Sequence, residues 1–295
     1  MFKSLILVFF LVNSFSALAK IEVRWLGVAG LIIEDDETKI MFDPMVTRPT
    51  WKHWLMINKF KSDASLVDQM VKELQISDLK AIFSSHSHFD HVVDAPIFSK
   101  YTGAFFYVDD SSEIIANAYK DEMIRTKKIM ETHSIQLGKF KVTPIKRHHP
   151  KIHTFGIEWL PGPVKSNFDF GFYDYHLGDA WMYLIEHPQG TILIDQGAES
   201  RVDLLTKYTK HIDVLFQGVA NRQNDETFLN GYITIFRPKF FMPLHFDNFF
   251  TKLNKKTTSD LPGIKLSNLL ETIRKDQPEM KVIKPNFAER YTVFE

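Results

Sequence analysis

Ala81-Ile82-Phe83-Ser84-Ser85-His86-Ser87-His88-Phe89-Asp90-His91 runs from a short apolar stretch into four potential metal ligands within six residues. A lone histidine says little, but this density of imidazole and carboxylate at the end of a buried strand is specific. In an extended segment residues i and i+2 point the same way, so His86 and His88 can converge on one ion. Asp90 and His91 then fall where the chain turns and can address a neighbouring ion. Neutral imidazole and carboxylate suit a borderline divalent ion such as zinc, and a catalytic site must leave one coordination position open. The chain has no cysteine. Histidines and carboxylates must therefore supply any metal site, and disulfides and thiolate ligands are excluded.

Outward from this segment, the composition is that of a globular protein with a sizeable core: 44% apolar and 24% charged residues over 295 positions. Lys plus Arg (36) balances Asp plus Glu (36), so no overall positive field draws the chain to nucleic acid. Residues 1–19 read as a signal peptide: Lys3 gives the positive start, Leu5 to Val12 the apolar run, and Ala17-Leu18-Ala19 the small-residue cleavage site. That run is too short to span a bilayer, since a membrane helix needs about 20 apolar residues. The expectation is a cleaved leader, no stable membrane insertion afterwards, and a periplasmic or secreted mature chain.

Period-two and helical patterns alternate through the rest. Strands are predicted at Ile21 to Leu26, Leu31 to Glu34 with Lys39 to Phe42, Ala81 to Ser84, Ala104 to Val108, Lys139 to Ile145, Trp181 to Glu186 with Thr191 to Ile194, Ile212 to Phe216, Phe240 to Pro243 and Met280 to Ile283. Helices are predicted at Ser65 to Leu74, from Ser111, and at Val202 to Tyr208, Thr227 to Thr234 and Lys265 to Arg274. A long irregular loop is predicted from Lys146 to about Asp179. No linker divides the chain, so residues 20–295 read as one α/β (α+β) domain, two sheets with helices outside.

With the order of elements in place, His86-Ser87-His88-Phe89-Asp90-His91 resembles the H-x-H-x-D-H signature of the metallo-β-lactamase-fold superfamily. The resemblance covers nearly all of 20–295 and implies a four-layer αββα sandwich. Asp43 is similar to the family's early aspartate, which orients a metal histidine. Asp195 is similar to the aspartate that bridges two metals, and His245 to the late histidine of the second metal. The third ligand of the first metal should follow the strand ending at Ile145. His148 is preferred there, with His149 close behind and His153 further on, and neighbours in an extended segment face opposite ways.

The resemblance therefore implies a hydrolase with two Zn2+ ions per chain, or iron or manganese in the same ligands. The metal ligands would be His86, His88, Asp90, His91, His148, Asp195 and His245, with Asp90 and Asp195 also catalytic. A water activated between the ions would attack an ester, lactone or phosphodiester. A diiron oxidoreductase and a non-catalytic metal-binding protein are the alternatives. Trp25-Leu26-Gly27-Val28-Ala29-Gly30, Asp43-Pro44 and His245-Phe246-Asp247-Asn248-Phe249 resemble the branch with the L-ascorbate-6-phosphate lactonase and the N-acyl-phosphatidylethanolamine phospholipase D.

Phe168, Phe170, Phe172, Tyr173 and Tyr175 in the long loop, and Phe246, Phe249 and Phe250 around the late histidine, suggest apolar pocket walls. Such walls suit a small-molecule or lipid-like substrate. His176, in the same loop, is a candidate to touch the substrate. His53, His133, His187 and His211 read as surface or structural residues. The oligomeric state is left open by the sequence.

Overall fold

In the computed structural model, which describes residues 20–149, 153–154, 157–256 and 258–294, alternation along the strands sorts apolar side chains into two cores. The leader read at residues 1–19 lies outside the described residues. The first sheet takes β1 (Glu22–Trp25), β2 (Leu31–Glu34), β3 (Lys39–Phe42), β4 (Ala81–Phe83), β5 (Phe105–Val108) and β6 (Thr126–Lys128). The second takes β7 (Ile135–Leu137), β8 (Phe140–Arg147), β11 (Ala180–His187), β12 (Gly190–Asp195), β13 (Val214–Gly218), β14 (Phe240–Leu244) and β15 (Lys281–Val282), with a small hairpin β9 (His153–Thr154) and β10 (Ile157–Glu158) between β8 and β11. The last strand, β16 (Arg290–Thr292), returns to the first sheet. The spatial orders are β16-β1-β2-β3-β4-β5-β6 and β15-β14-β13-β12-β11-β8-β7.

Val23, Trp25, Ile33, Ile40, Phe42 and Phe83 face the second sheet and merge with Val142, Ile145, Tyr183 and Phe216. Their sequence neighbours Ile32, Met41 and Ile82, with Phe106 of β5, face the other way. There they meet α2 (Ala64–Glu73), α4 (Ala95–Thr102) and α5 (Asp110–Asn117). A one-residue slip of register would exchange the two sets, so the pairing of Ile40 with Ala81 and Phe42 with Phe83 is tightly specified. Across the inner face Phe42, Phe83 and Tyr107 stack in a row at 5.1 and 4.8 Å between ring centroids. Tyr183 of the opposite sheet packs on this row, and its hydroxyl donates to the Ser84 carbonyl at 2.6 Å. On the far side of the second sheet lie α7 (Asp225–Phe228) and α9 (Leu266–Asp276). The layering is the αββα sandwich expected.

The segment between β3 and β4 begins with the short helix α1 (Trp51–Trp54) and is tied down by Asp94. That buried carboxylate accepts from the backbone N–H groups of Val46 and Thr47 and from the hydroxyls of Thr47 and Ser62, at 2.5 to 2.8 Å. The remaining helices are α3 (Phe89–Val92), α6 (Val202–Leu205) and α8 (Thr234–Phe236). A π-helical turn, Leu229–Ile233, joins α7 to α8 where the sequence suggested one continuous helix.

Asp43, His86, His149, Asp195 and His245 all lie at or just beyond the carboxyl ends of β3, β4, β8, β12 and β14. Strand ends in open α/β sheets are where ligands are received, because connecting loops diverge there.

Candidate metal centre

β4 ends at Phe83, and the next residues are pinned before the histidines begin. The Ser85 N–H donates to Asp43 Oδ1 at 2.6 Å, and the Trp181 N–H donates to the Ser85 carbonyl at 2.7 Å. The Ser85 hydroxyl lies 3.1 Å from His86 Nδ1 and 3.2 Å from His91 Nδ1. One hydroxyl thus orients two imidazoles and leaves the Nε2 atom of each for a ligand. Asp43 Oδ1 also stands 3.5 Å from His91 Nδ1, which is the supporting position read for it.

Two groups of donors result. Ligand atoms of His86, His88 and His149 lie within 4.8 Å of one another, as do those of His86, Asp90 and His91. His86 Nε2 and His88 Nδ1 are 3.1 Å apart. Two nitrogens bound to one tetrahedral zinc at 2.0–2.1 Å must stand roughly 3.3 Å apart, so the pair is already at ligand spacing. Asp90 Oδ2 lies 3.0 Å from His245 Nε2 and 3.4 Å from His91 Nε2, which brings the late histidine to the second group. Asp43 Oδ2 and His245 Nδ1 are buried without a hydrogen-bond partner.

Electrostatics divide the histidines. Burial, with His91 and His149 adjacent, holds His86 well below the usual imidazole range, and burial takes His88 down to about 4 despite Asp90. Both are therefore neutral, the form that binds a metal. Burial opposes the charge on His91 as well, but the Asp90 and Asp43 carboxylates outweigh it and raise the group to about 10. Asp90 is held well below the carboxylate range against its own burial, by the charge of His91 and the bond to His245. Neutral His86 and His88, the positive charge that Asp90 and Asp43 hold on His91, and the buried unpartnered atoms together fit a divalent cation, which would displace the His91 proton.

Two expectations need correction or relocation. His148 is exposed, and His149 is the residue whose ring meets His86 at 4.7 Å and His88 at 5.4 Å. The reason is period: Arg147 takes the inward position at the end of β8, so His148 faces out and His149 returns inward. Asp195 is fully buried at the end of β12, but its carboxylate is in neither group. Arg147 and the Gly197 N–H bind Oδ1, and the Tyr232 hydroxyl donates to Oδ2 at 2.8 Å. A Cβ at Gly197 would stand 2.5 Å from the Arg147 guanidinium, so a larger residue there would have to shift that side chain. The side chain of His153 lies outside the described set.

Ser85 and Arg147 escaped the sequence reading because neither sits in a ligand pattern. The pair Arg48 and Asp247 escaped it too. Asp247 Oδ1 accepts from the Val28 N–H at 2.7 Å while Oδ2 pairs with Arg48 at 3.2 Å, and the Val28 carbonyl receives the His245 N–H at 2.7 Å. Val28, Asp43 and His245 all take left-handed backbone angles, at φ 50°, 43° and 56°. Such angles are unfavourable for side chains with a Cβ, above all for valine, and collect where a site over-determines the backbone.

Above the donors opens a cavity of about 560 Å³, with His86, His88, Asp90, His91, His149 and His245 on its floor. Its walls include Trp54, Phe89, Trp159, Phe172, Tyr173, Phe249 and Phe250. The aromatic wall is thus narrower in the long loop than expected. Phe168, Phe170 and Tyr175 turn into the core around Phe60, and Phe246 stacks on Trp25 at 4.7 Å. His176 is held by the Pro161 carbonyl at 2.8 Å and does not line the cavity.

Residues 23–110 match the family model of the Metallo-beta-lactamase superfamily. A metal-dependent hydrolase of Pyrobaculum islandicum is 37% identical over 83 residues, which span 28% of this chain and 30% of that protein. A metallo hydrolase of the archaeon Ignicoccus hospitalis superposes over 94% of this chain and 99% of its own, with a TM-score of 0.59 at 16% identity. CmlA, a diiron β-hydroxylase of Streptomyces venezuelae, superposes over 92% of this chain and 54% of its own, with a TM-score of 0.55 at 7% identity. From strand order, ligand-bearing strand ends and structural likeness, the chain has the metallo-β-lactamase fold, and its residues 23–110 are similar to the Metallo-beta-lactamase superfamily.

Proposed function

We propose that this chain is an exported metal-dependent hydrolase that cleaves an ester, lactone or phosphodiester bond in a substrate with an apolar arm. The observation that carries the reading is the donor floor beneath an aromatic cavity: chemistry for hydrolysis and a wall for hydrocarbon meet in one place. His86, His88 and His149 would hold one ion, and Asp90, His91 and His245 a second, with zinc the first candidate for such donors and iron or manganese the alternatives. When bound, such ions polarise a carbonyl or phosphoryl oxygen and bring the pKa of water near neutrality.

The residues of the chain do the rest. Asp90, ionised and 3.0 Å from His245 Nε2 at Oδ2, would present its carboxylate to the second ion and hold the attacking water beside it. Asp43 and Ser85 keep His91 and His86 turned so that Nε2 faces inward. Phe89, Phe172 and Phe249 exclude water around the reacting bond and offer an apolar seat to an acyl or aryl group. Asp195 is assigned to the second ion only if Arg147 releases it.

A panel of nitrophenyl acetate, nitrophenyl octanoate, a homoserine lactone and bis(nitrophenyl) phosphate, run with zinc and then with a chelator, tests the proposal. Activity should be lost with the chelator and should favour octanoate over acetate. Undiminished hydrolysis by metal-free protein would sink it. The diiron neighbour keeps an oxidoreductase as the second reading. Iron in the purified protein, with visible absorption and no hydrolysis of the panel, would select that reading.

A further inference from the structure

Between β3 and α2 the chain turns five large apolar side chains outward: Trp51 is 61% exposed, Trp54 40%, Leu55 64%, Met56 70% and Ile57 59%. This segment is held in place. The Ile57 N–H donates to the Lys52 carbonyl at 2.8 Å, the Tyr173 hydroxyl donates to the Trp54 carbonyl at 3.1 Å, and the Asp94 bonds anchor both flanks. Trp54 meets Phe250 edge-on at 5.0 Å, which carries the apolar surface across to the loop after His245. Both rings also wall the cavity, so the apolar face reaches the edge of its mouth. Clustered large side chains left in water mark a place where another apolar phase is met.

Charge indicates which phase. The chain as a whole is balanced, yet no Asp or Glu occurs from Pro44 to Ser62 or from Asn248 to Ser259. The first stretch carries Arg48, Lys52, Lys59 and Lys61, and the second Lys252, Lys255 and Lys256. Arg48 is buried against Asp247, and Lys59 and Lys255 pair with Asp169 and Glu73, whereas Lys52, Lys252 and Lys256 stand exposed. Tryptophan and aliphatic side chains rimmed by lysine are the composition of surfaces that rest in a lipid interface. A two-fold contact with a second copy would bring the same basic rims together, which is unfavourable.

We propose that this face docks on a bilayer containing anionic phospholipid. Trp51, Leu55, Met56 and Ile57 enter the interfacial layer, Lys52, Lys252 and Lys256 meet the headgroups, and the cavity mouth opens onto the membrane. The docking deepens the hydrolase reading by giving its apolar arm a source, and rests on that reading only for what the cavity does.

Flotation with vesicles of roughly 3:1 dioleoylphosphatidylcholine to dioleoylphosphatidylglycerol tests it without any turnover. The chain should float, and brominated lipid should quench its tryptophan emission. The triple variant Trp51→Ser/Leu55→Ser/Ile57→Ser should partition about tenfold less or weaker still, while hydrolysing nitrophenyl acetate at the unaltered rate. Lys52→Glu with Lys252→Glu should abolish the preference for phosphatidylglycerol vesicles over pure phosphatidylcholine. No flotation of the unaltered chain overturns the proposal. So does flotation of the triple variant at the original level, which would assign binding to the apolar residues 1–19. A sedimentation shift from dimer to monomer in the triple variant, without flotation of either protein, would give the face to a second copy and also overturn it. Flotation retained by a chain that hydrolyses nothing in the panel would support docking while refuting the hydrolase reading.

Discussion

His148 and His149 are adjacent in sequence and opposite in fate. Replacing His149 with Ala removes a donor from the first group, and zinc affinity should fall by more than the roughly 10- to 100-fold that follows loss of a supporting residue. His148→Ala, at an exposed position, should leave affinity unchanged. Competition with a chromogenic chelator reads both, and the reverse ranking would return the ligand to His148. Ser85 is such a supporting residue. Ser85→Ala leaves the Nδ1 atoms of His86 and His91 without their shared hydroxyl, and zinc affinity should drop about 10- to 100-fold with the fold intact by circular dichroism. The ligand segment His86 to His91 was legible because its spacing is local. The choice at the end of β8 depended on Arg147 facing inward, and that depends on pairing with β11, which the sequence does not display.

Among the elements, the end of β12 shows how a carboxylate that resembles a metal ligand can serve packing as well as chemistry. Arg147 and Asp195 are both buried, on strands separated by β11. Arg147→Met should cost about 3–5 kcal/mol in urea unfolding, because a buried carboxylate loses its cation, and Arg147→Met with Asp195→Leu should recover much of that loss. If Arg147 also withholds Asp195 from the second ion, the single variant should bind zinc there more tightly per folded chain. Unchanged stability would show that the pair is open in solution.

Short apolar strands bounded by turn residues, such as β1 to β4, β11 and β12, were legible to within one residue at each end. Others were not: β6 is Thr126-Lys127-Lys128 at a sheet edge, where exposed polar residues erase the alternation. Helix α4 carried its own signals, Pro96 in its first turn and Gly103 in a left-handed cap, but its length is short and its apolar face merges with the preceding ligand segment. The continuous helix expected from Thr227 is broken by the irregular backbone at Gly231. A Cβ there would press on Ser200.

For the whole molecule, metal and fold are linked by mass action. An ion that binds the folded chain at a thousand times its dissociation constant adds about 4 kcal/mol. In a domain of this size each kcal/mol moves the melting temperature roughly 2–4 °C. Chelation should therefore lower the melting temperature by about 8 °C or more, and zinc should restore it. No shift would mean that the donors are held by the fold alone. The layered architecture followed from the order of elements. The outward-facing aromatic segment did not, since exposure depends on what the neighbouring loops leave uncovered.

The return of β16 to β1 has a consequence for how the protein is made. Arg290 reaches back to Glu22 across 268 positions, and among the described residues the outer edge of β1 is paired only by β16 and the Phe287 bridge just before it. Closing so long a loop is entropically expensive and slow. During synthesis the first sheet keeps an open edge until Arg290 to Thr292 have been added. A chain that cannot finish its first sheet early folds with that pairing as its last step, so the edge of β1 should be the last part of the sheet to gain protection from hydrogen exchange on refolding.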